Sequence, residues 1–268
     1  FDPPEDYPDP KKTFEYLADT AEGRTVYAIG NSHAGHLRPL LTTLGSHMGF
    51  DAKFVQDGDC PLARFNEPRG ECSEFQDVVE EVIDSTKPGD VVIFSSLVIP
   101  RISNVSSGQT APVEEIIARY LRASDAERQA ISLDQSRDVI SQLRDAGLLV
   151  VATRPTPVFL SPVFRCLDWF NEVNTVCEGG FEVPRSDIER LSVPPNAIIN
   201  QLEAEGLVQV WDLLAELCPG EVCRTERDGR QMYTDADHLS RWGNVVLMPS
   251  FIDQVGPVWG LPESGATS

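Results

Sequence analysis

Two short stretches hold most of the side chains that could do chemistry. GNSHAGH at 30–36 sets Ser32 beside His33, with His36 one helical turn on, and YTDADHLS at 233–240 holds His238 three residues after Asp235. A serine hydroxyl becomes a nucleophile when an imidazole takes its proton and a carboxylate orients that imidazole. The chain has four histidines from which to choose: His33, His36, His47 and His238. A neighbour on a sharp turn is usually directed away from the serine, so His33 is read as packing beneath the turn or making a structural hydrogen bond. His47 reads as a cap or groove filler at a helix end. His36 is placed at the pocket wall, where a helix N-terminal position would lower its pKa. His238 is the expected base. Asp235 can fold back within one turn onto its Nδ1, whereas Asp237 is expected to diverge toward solvent or a helix N-terminus. Each stretch also has a plainer reading, an N-cap for GNS and a capped acidic turn for DADH.

For the two to react, the fold must bring them to one edge of a sheet. TVYAIG (25–30) reads as a strand, and AGHLRPLLTTLGSHM (34–48) as its helix, with Leu37, Leu40, Leu41 and Leu44 at helical spacing and Pro39 in the first turns. DAKFVQ (51–56), VVIFSS (91–96), LLVVATRP (148–155) and LVQVWDLL (207–214) are four more strand candidates. Helical patterns at 73–87, 113–122, 124–146, in pieces over 184–206 and at 239–255 alternate with them. This predicts an α/β fold, a three-layer α/β/α sandwich with a mainly parallel five-stranded sheet. Ligands sit beyond the carboxyl ends of such strands, where GNSHA falls, and the next helix's N–H groups are expected to face Ser32. Residues 1–20 are read as a linker or N-terminal extension, 21–262 as one catalytic domain and 263–268 as a tail.

The net charge of −20, from 22 basic and 42 acidic side chains, argues against nucleic acid as a partner and against charge-driven docking on an anionic bilayer. The apolar runs are shorter than the roughly 20 residues of a spanning helix. No basic-then-apolar leader opens the sequence, so the piece is read as a processed protein or an excised domain. Six cysteines fall in three local pairs, Cys60 with Cys72, Cys166 with Cys177 and Cys218 with Cys223. Three short disulfides in an oxidising compartment are the simplest reading, with buried thiols as the competing one. The one C-x₄-C spacing, Cys218 and Cys223, has no second such pair to complete a metal site, and H-E-x-x-H does not occur, so no metal is expected; the first strand turn lacks G-x-G-x-x-G. Arg154 reads as a pocket residue or a salt-bridge partner. Trp169 and Phe170 read as packing a loop or as stacking on a sugar ring.

GNSH at 30–33 followed by DADH at 235–238 resembles the paired blocks of the SGNH/GDSL hydrolase superfamily. With DGDCP (57–61), LCPGEVC (217–223) and DGRQMYTDADHLSRWGN (228–244), nearly the whole chain is similar to the SGNH domain fused behind bacterial membrane-bound acyltransferase-3 proteins, which O-acylate lipopolysaccharide O-antigen or other envelope glycans. The resemblance implies an SGNH hydrolase-like (flavodoxin-like) fold, with Ser32 as nucleophile, His238 as base and Asp235 as its orienting acid. It also implies an oxyanion held by the N–H of Ser32 and that of Gly58, with Asn31 in the pocket. Two departures stand out. Asn31 replaces the aspartate of the usual GDS form, and FSSLVIPR (94–101) lacks the Gly-x-Asn-Asp block, with Asn104 too late to supply it.

The implied function is O-acyl transfer, with acetyl expected, to an envelope-glycan hydroxyl through an acyl-serine. The domain itself needs no cofactor; acyl-CoA is implied as the donor to a fused or associated acyltransferase-3 membrane domain. The expected location is the periplasm or extracytoplasmic face, tethered to the inner membrane through an upstream domain. The alternatives are a stand-alone carbohydrate O-acetylesterase and a catalytically weak glycan-binding module with a degenerate site.

Overall fold

A computed structural model describes residues 13–56, 61–68, 70, 75–103, 111–171 and 173–259. Side chains alternate between the faces of a strand, so an unbroken apolar run is stable where both faces are covered. The runs that become strands are β1 (Thr25–Gly30), β2 (Asp51–Gln56), β3 (Val91–Phe94), β4 (Leu149–Thr153) and, after a short strand β5 (Glu182–Pro184), β6 (Gln209–Trp211). All but β5 form one parallel sheet in the order β2-β1-β3-β4-β6. Val26, Ala28, Val91, Ile93, Val151 and Trp211 enter one apolar cluster. Tyr27, Ile29, Val92, Phe94, Val150 and Val210 enter the other.

Helices cover both faces. In chain order they are α1 (Ser32–His36), α2 (Arg38–Met48), α3 (Phe75–Asp84), α4 (Val113–Ala123), α5 (Ala126–Asp145), α6 (Val163–Cys166), α7 (Arg185–Ala204), α8 (Leu213–Leu217) and α9 (Arg241–Gln254). Leu40 and Leu44 of α2, Ile117 of α4 and Leu247 and Phe251 of α9 pack into the first cluster. Val79 and Val82 of α3 and Ile140 and Leu143 of α5 pack into the second. Helix α7 serves both, Leu191 before and Ile199 after its internal Pro194 and Pro195. The result is the three-layer sandwich expected. Phe14 and Leu17, in the stretch read as a linker, are buried in the first cluster, and His47 Nε2 donates to the Phe14 carbonyl at 2.6 Å. Among the described residues no helix is long and apolar enough to cross a membrane.

Two strands stop earlier than their apolar runs. After Phe94 the chain leaves the sheet, and Ser96 and Leu97 line a cavity instead. After Trp211 the Asp212 side chain accepts from Ala215 N–H at 3.1 Å and starts α8, so an N-cap converts apolar Leu213 and Leu214 from strand to helix. In this strand order the chain departs to opposite sides of β1, which opens a crevice beyond the carboxyl ends of β1 and β3.

Gly30 sits at that crevice with φ +150°, and a Cβ there would lie 2.0 Å from the Ser95 carbonyl oxygen. The obstacle is backbone in the neighbouring strand turn, and it cannot rotate aside. Gly30→Ala is therefore expected to destabilise the fold by about 3 kcal/mol or more, read as a lowered urea midpoint or loss of soluble protein.

Candidate active site

Asn31, between β1 and α1, is the N-cap of α1. Its Oδ1 accepts from the His33 N–H at 3.0 Å and from the Leu97 N–H at 3.1 Å, and its own N–H donates to Ser96 Oγ at 3.2 Å. The amide thus ties the β1 turn to the β3 loop and needs no carboxylate charge to do so. Because Asn31 takes the cap, Ser32 does not; it is the first residue of α1, exposed, with its hydroxyl free of backbone duty. The expectation that several helix N–H groups face Ser32 needs correction. Helix α1 has five residues, and Asn31 already takes the N–H groups of His33 and Ala34.

The second stretch is folded into a tight loop. β7 (Val222–Arg224) pairs with β5, β8 (Glu226–Arg227) turns back on β9 (Arg230–Gln231), and a bridge between Tyr233 and Leu239 then closes residues 234–238. Thr234 N–H donates to the His238 carbonyl at 2.8 Å, while Phe159 N–H holds the Ala236 carbonyl at 2.7 Å. Asp235 Oδ1 accepts the N–H groups of Asp237 at 2.9 Å and His238 at 2.7 Å. Its other oxygen, Oδ2, then meets His238 Nδ1 at 2.7 Å. His238 Nε2 lies 2.7 Å from Ser32 Oγ, across 206 residues of chain. With the proton on Nδ1 and donated to Asp235, Nε2 accepts from the serine hydroxyl.

Electrostatics support that arrangement. The hydrogen bond to Asp235 raises the His238 pKa above its ordinary 6.5; burial opposes this, and the Asp237 and Asp235 charges reinforce it. Burial pushes Asp235 upward, but hydrogen bonds from His238 and two backbone N–H groups outweigh it and leave the pKa lowered. Asp235 is accordingly a carboxylate at neutral pH.

Asp237 does not diverge toward solvent as its position next to His238 suggested. It is 3 % exposed and accepts from Arg101 Nε at 2.9 Å and from His33 Nε2 at 3.3 Å. No local pattern around Asp237 signals these contacts. The one available signal for Arg101 is its place at the end of FSSLVIPR, just after the strand whose carboxyl end borders the crevice. His33 is buried beneath the turn, donating to Asp237 and accepting from Thr156 Oγ1 at 3.3 Å; desolvation lowers its pKa despite Asp237. His36 is buried too. Its Nδ1 accepts from Leu239 N–H at 3.4 Å, and burial, not a helix terminus, holds its pKa well below 6.5. It packs under the 234–238 loop instead of lining an open pocket, its ring 6.1 Å from that of His238.

A cavity of about 280 Å³ opens between the β1 turn and the β3 loop, lined by Asn31, Arg64, Asn66, Glu67, Ser96 and Arg101 among others; it reaches Asn31, the residue before Ser32, while Ser32, Asp235 and His238 are not in its wall. Arg154 lies elsewhere, donating to Asn200 Oδ1 at 2.8 Å and 3.8 Å from Asp212. Trp169 and Phe170 are 81 % and 60 % exposed and do not pack the loop. The disulfides Cys166–Cys177 and Cys218–Cys223 are formed. Cys60, Cys72, Gly58 and Asn104 lie outside the described residues. His33, Asp237 and His238 each offer a ligand atom within 4.8 Å of the others. Both ring nitrogens of His238 are already engaged, so a metal ion could use that residue only by displacing Asp235 or Ser32.

Comparison with known proteins gives the family. Residues 4–253 match the family described as the SGNH domain fused to AT3 domains. No curated protein sequence matches the chain. Among solved structures, the periplasmic domain of a lipopolysaccharide acetyltransferase from Salmonella ser. Paratyphi A is similar at TM-score 0.53 and 12% identity, over 91% of this chain and 87% of that one. An acetylxylan esterase from Geobacillus stearothermophilus, solved as a catalytic mutant, is similar at TM-score 0.43 and 11% identity, over 90% and 96%. With the family matched over most of its length, this chain belongs to the SGNH domain family whose members are fused to AT3 (acyltransferase-3) domains.

Proposed function

We propose that this chain performs acyl-ester chemistry through Ser32, and that by itself it uses water as acceptor, as a carbohydrate O-acyl esterase. The line Asp235–His238–Ser32, ending in a hydroxyl on an exposed residue, is the observation that supports it. In this reading Ser32 Oγ attacks the ester carbonyl carbon as its proton passes to His238 Nε2. The resulting imidazolium is held through Nδ1–H on Asp235, and the tetrahedral oxyanion is held by the Ser32 N–H. Collapse expels the sugar hydroxyl, which takes the proton from His238. Water, activated by the same nitrogen, then releases the acid from the acyl-serine. The cavity that reaches the neighbouring Asn31, about 280 Å³, is near the small end for ligand sites and would suit part of a substrate such as one sugar ring.

A second reading, transfer to a glycan hydroxyl, is favoured by the family's fusion to AT3 domains. The same acyl-serine would then be attacked by a sugar instead of water. An AT3 membrane domain would supply the acyl group from acyl-CoA, and the SGNH domain would work on the periplasmic side, as the Salmonella neighbour's name says of that protein. A degenerate binding module is the weaker reading, since Asn31 retains its two acceptor contacts and the base meets the hydroxyl.

A fluorophosphonate probe followed by peptide mass spectrometry tests the common core, with p-nitrophenyl acetate as a turnover substrate. Labelling confined to Ser32, with ester turnover, is the expected result. Folded protein with neither sinks the proposal. Release of acetate from acetylated oligosaccharide by the isolated chain favours the esterase; acetylation of a glycan only in the presence of an AT3 domain favours the transferase.

A further inference from the structure

We propose that Asp237 is a second positioning carboxylate for His238, with Arg101 as its opposing charge, so that two anions and one cation together set the basicity of the imidazole. The inference deepens the reading of His238 as general base and rests on it. Asp237 Oδ1 lies 3.7 Å from His238 Nδ1, the nitrogen that Asp235 Oδ2 holds at 2.7 Å. Asp235 therefore makes the hydrogen bond, and Asp237 supplies charge to the same edge of the ring. Its other oxygen is occupied by His33 and by both Nε and Nη2 of Arg101, at 2.9 and 2.8 Å.

A carboxylate this deeply buried stays ionised only with charged or hydrogen-bonding partners around it. Burial pushes Asp237 toward protonation, and the His33 and Arg101 contacts override that push. The ionisable groups facing His238 come from three elements. The catalytic loop gives Asp235 and Asp237, helix α1 gives His33 and His36, and the β3 loop gives Arg101. The α1 histidines are kept neutral by desolvation, so the balance at neutral pH is two negative charges against one positive. Arg101 also lines the cavity, with about half of its side chain exposed. One arginine thus joins the cavity wall to the charge that tunes the base.

Opposite charges make opposite predictions, which a purely structural role does not. Asp237→Asn removes an anion from the imidazolium and leaves Arg101 uncompensated, so the His238 pKa falls. Arg101→Gln removes the cation and leaves Asp237 stronger, so the pKa rises. The Asp235 hydrogen bond remains in both, which limits each shift to about 0.5–1 pH unit, or three- to tenfold in rate on the acid limb. Arg101→Lys keeps the charge and is expected to stay near wild type.

The test is NMR titration of the His238 ring in wild type, D237N, R101Q and R101K, paired with the acid limb of kcat/KM for p-nitrophenyl acetate. Shifts of opposite sign in D237N and R101Q, with R101K near wild type, are expected in both measurements. Shifts of the same sign, or none, overturn the proposal. Should D237N fail to fold, the R101Q and R101K pair decides alone: R101Q must move upward and R101K must not. Opposite NMR shifts without any ester turnover would remove the acyl-transfer reading and leave the electrostatic one standing. Turnover without those shifts would do the reverse.

Discussion

Ser32→Ala is expected to leave a folded protein whose turnover of an activated acetyl ester is lower by about 10⁴- to 10⁶-fold, the usual range for removing a serine nucleophile from an intact triad. Folding should survive because the hydroxyl is exposed and its hydrogen bond goes to His238 Nε2. The backbone loses nothing: Asn31 caps the helix, and alanine suits a first-turn position better than serine. His238 also keeps its place, since Asp235 holds Nδ1 and the loop carbonyls at positions 236 and 238 are held by Phe159 and Thr234. The loss would therefore report on the hydroxyl alone. Initial rates with p-nitrophenyl acetate, together with the urea midpoint of each variant, check both halves of the expectation. A variant that unfolds at the wild-type midpoint and turns over at more than a hundredth of the wild-type rate would show that Ser32 is not the nucleophile.

The paired reactive residues were legible because their spacing has few physical solutions. A histidine three residues after an aspartate can close one turn, and the structure closes it through Asp235 Oδ1 on two backbone N–H groups, which aims Oδ2 at the ring. The sheet was equally legible, since the uninterrupted apolar runs at β3 and β4 need cover on both faces. What escaped was set by contacts between distant segments. Asp237 looked like a surface residue because a sequence shows neither Arg101 nor His33 arriving beside it, from 136 and 204 residues away. His36 looked like a pocket residue because its burial depends on Asn244 of α9, whose Nδ2 donates to the His36 carbonyl at 2.8 Å. Of the two readings for Trp169 and Phe170, packing a loop or stacking on a sugar ring, the structure removes the first. Their exposure follows from the path of the loop, which no local pattern encodes.

Asp235→Asn is expected to lower kcat by about 10⁴-fold, the loss typical when the orienting acid becomes an amide, while the serine and histidine stay in place. The geometry dictates the reason. Two backbone N–H groups donate to Oδ1, so the carbonyl of an asparagine must stay there and its NH₂ must face His238 Nδ1. Nδ1 would then have to accept, and the ring proton would move to Nε2, opposite Ser32 Oγ, where it leaves no lone pair to take the hydroxyl proton. The pH dependence gives a second check. The His238 pKa is raised above 6.5 in the folded chain, first by Asp235, so wild-type activity should rise with pH through that raised value as the ring loses its proton. Stability runs the other way. The contribution of the charged pair is complete below the unfolded value near 6.5 and fades as pH rises through the folded one. The lowered Asp235 pKa adds a contribution present above about 3.8 and lost as pH falls through its folded value. Asp235→Asn should therefore destabilise the protein more at pH 5.5 than at pH 9, roughly the window between these transitions and the pH beyond them, while its residual activity begins at lower pH than in the wild type. Urea midpoints and kcat/KM profiles across that range measure both. Turnover within tenfold of wild type would transfer the orienting role to Asp237, the other carboxylate within reach of Nδ1.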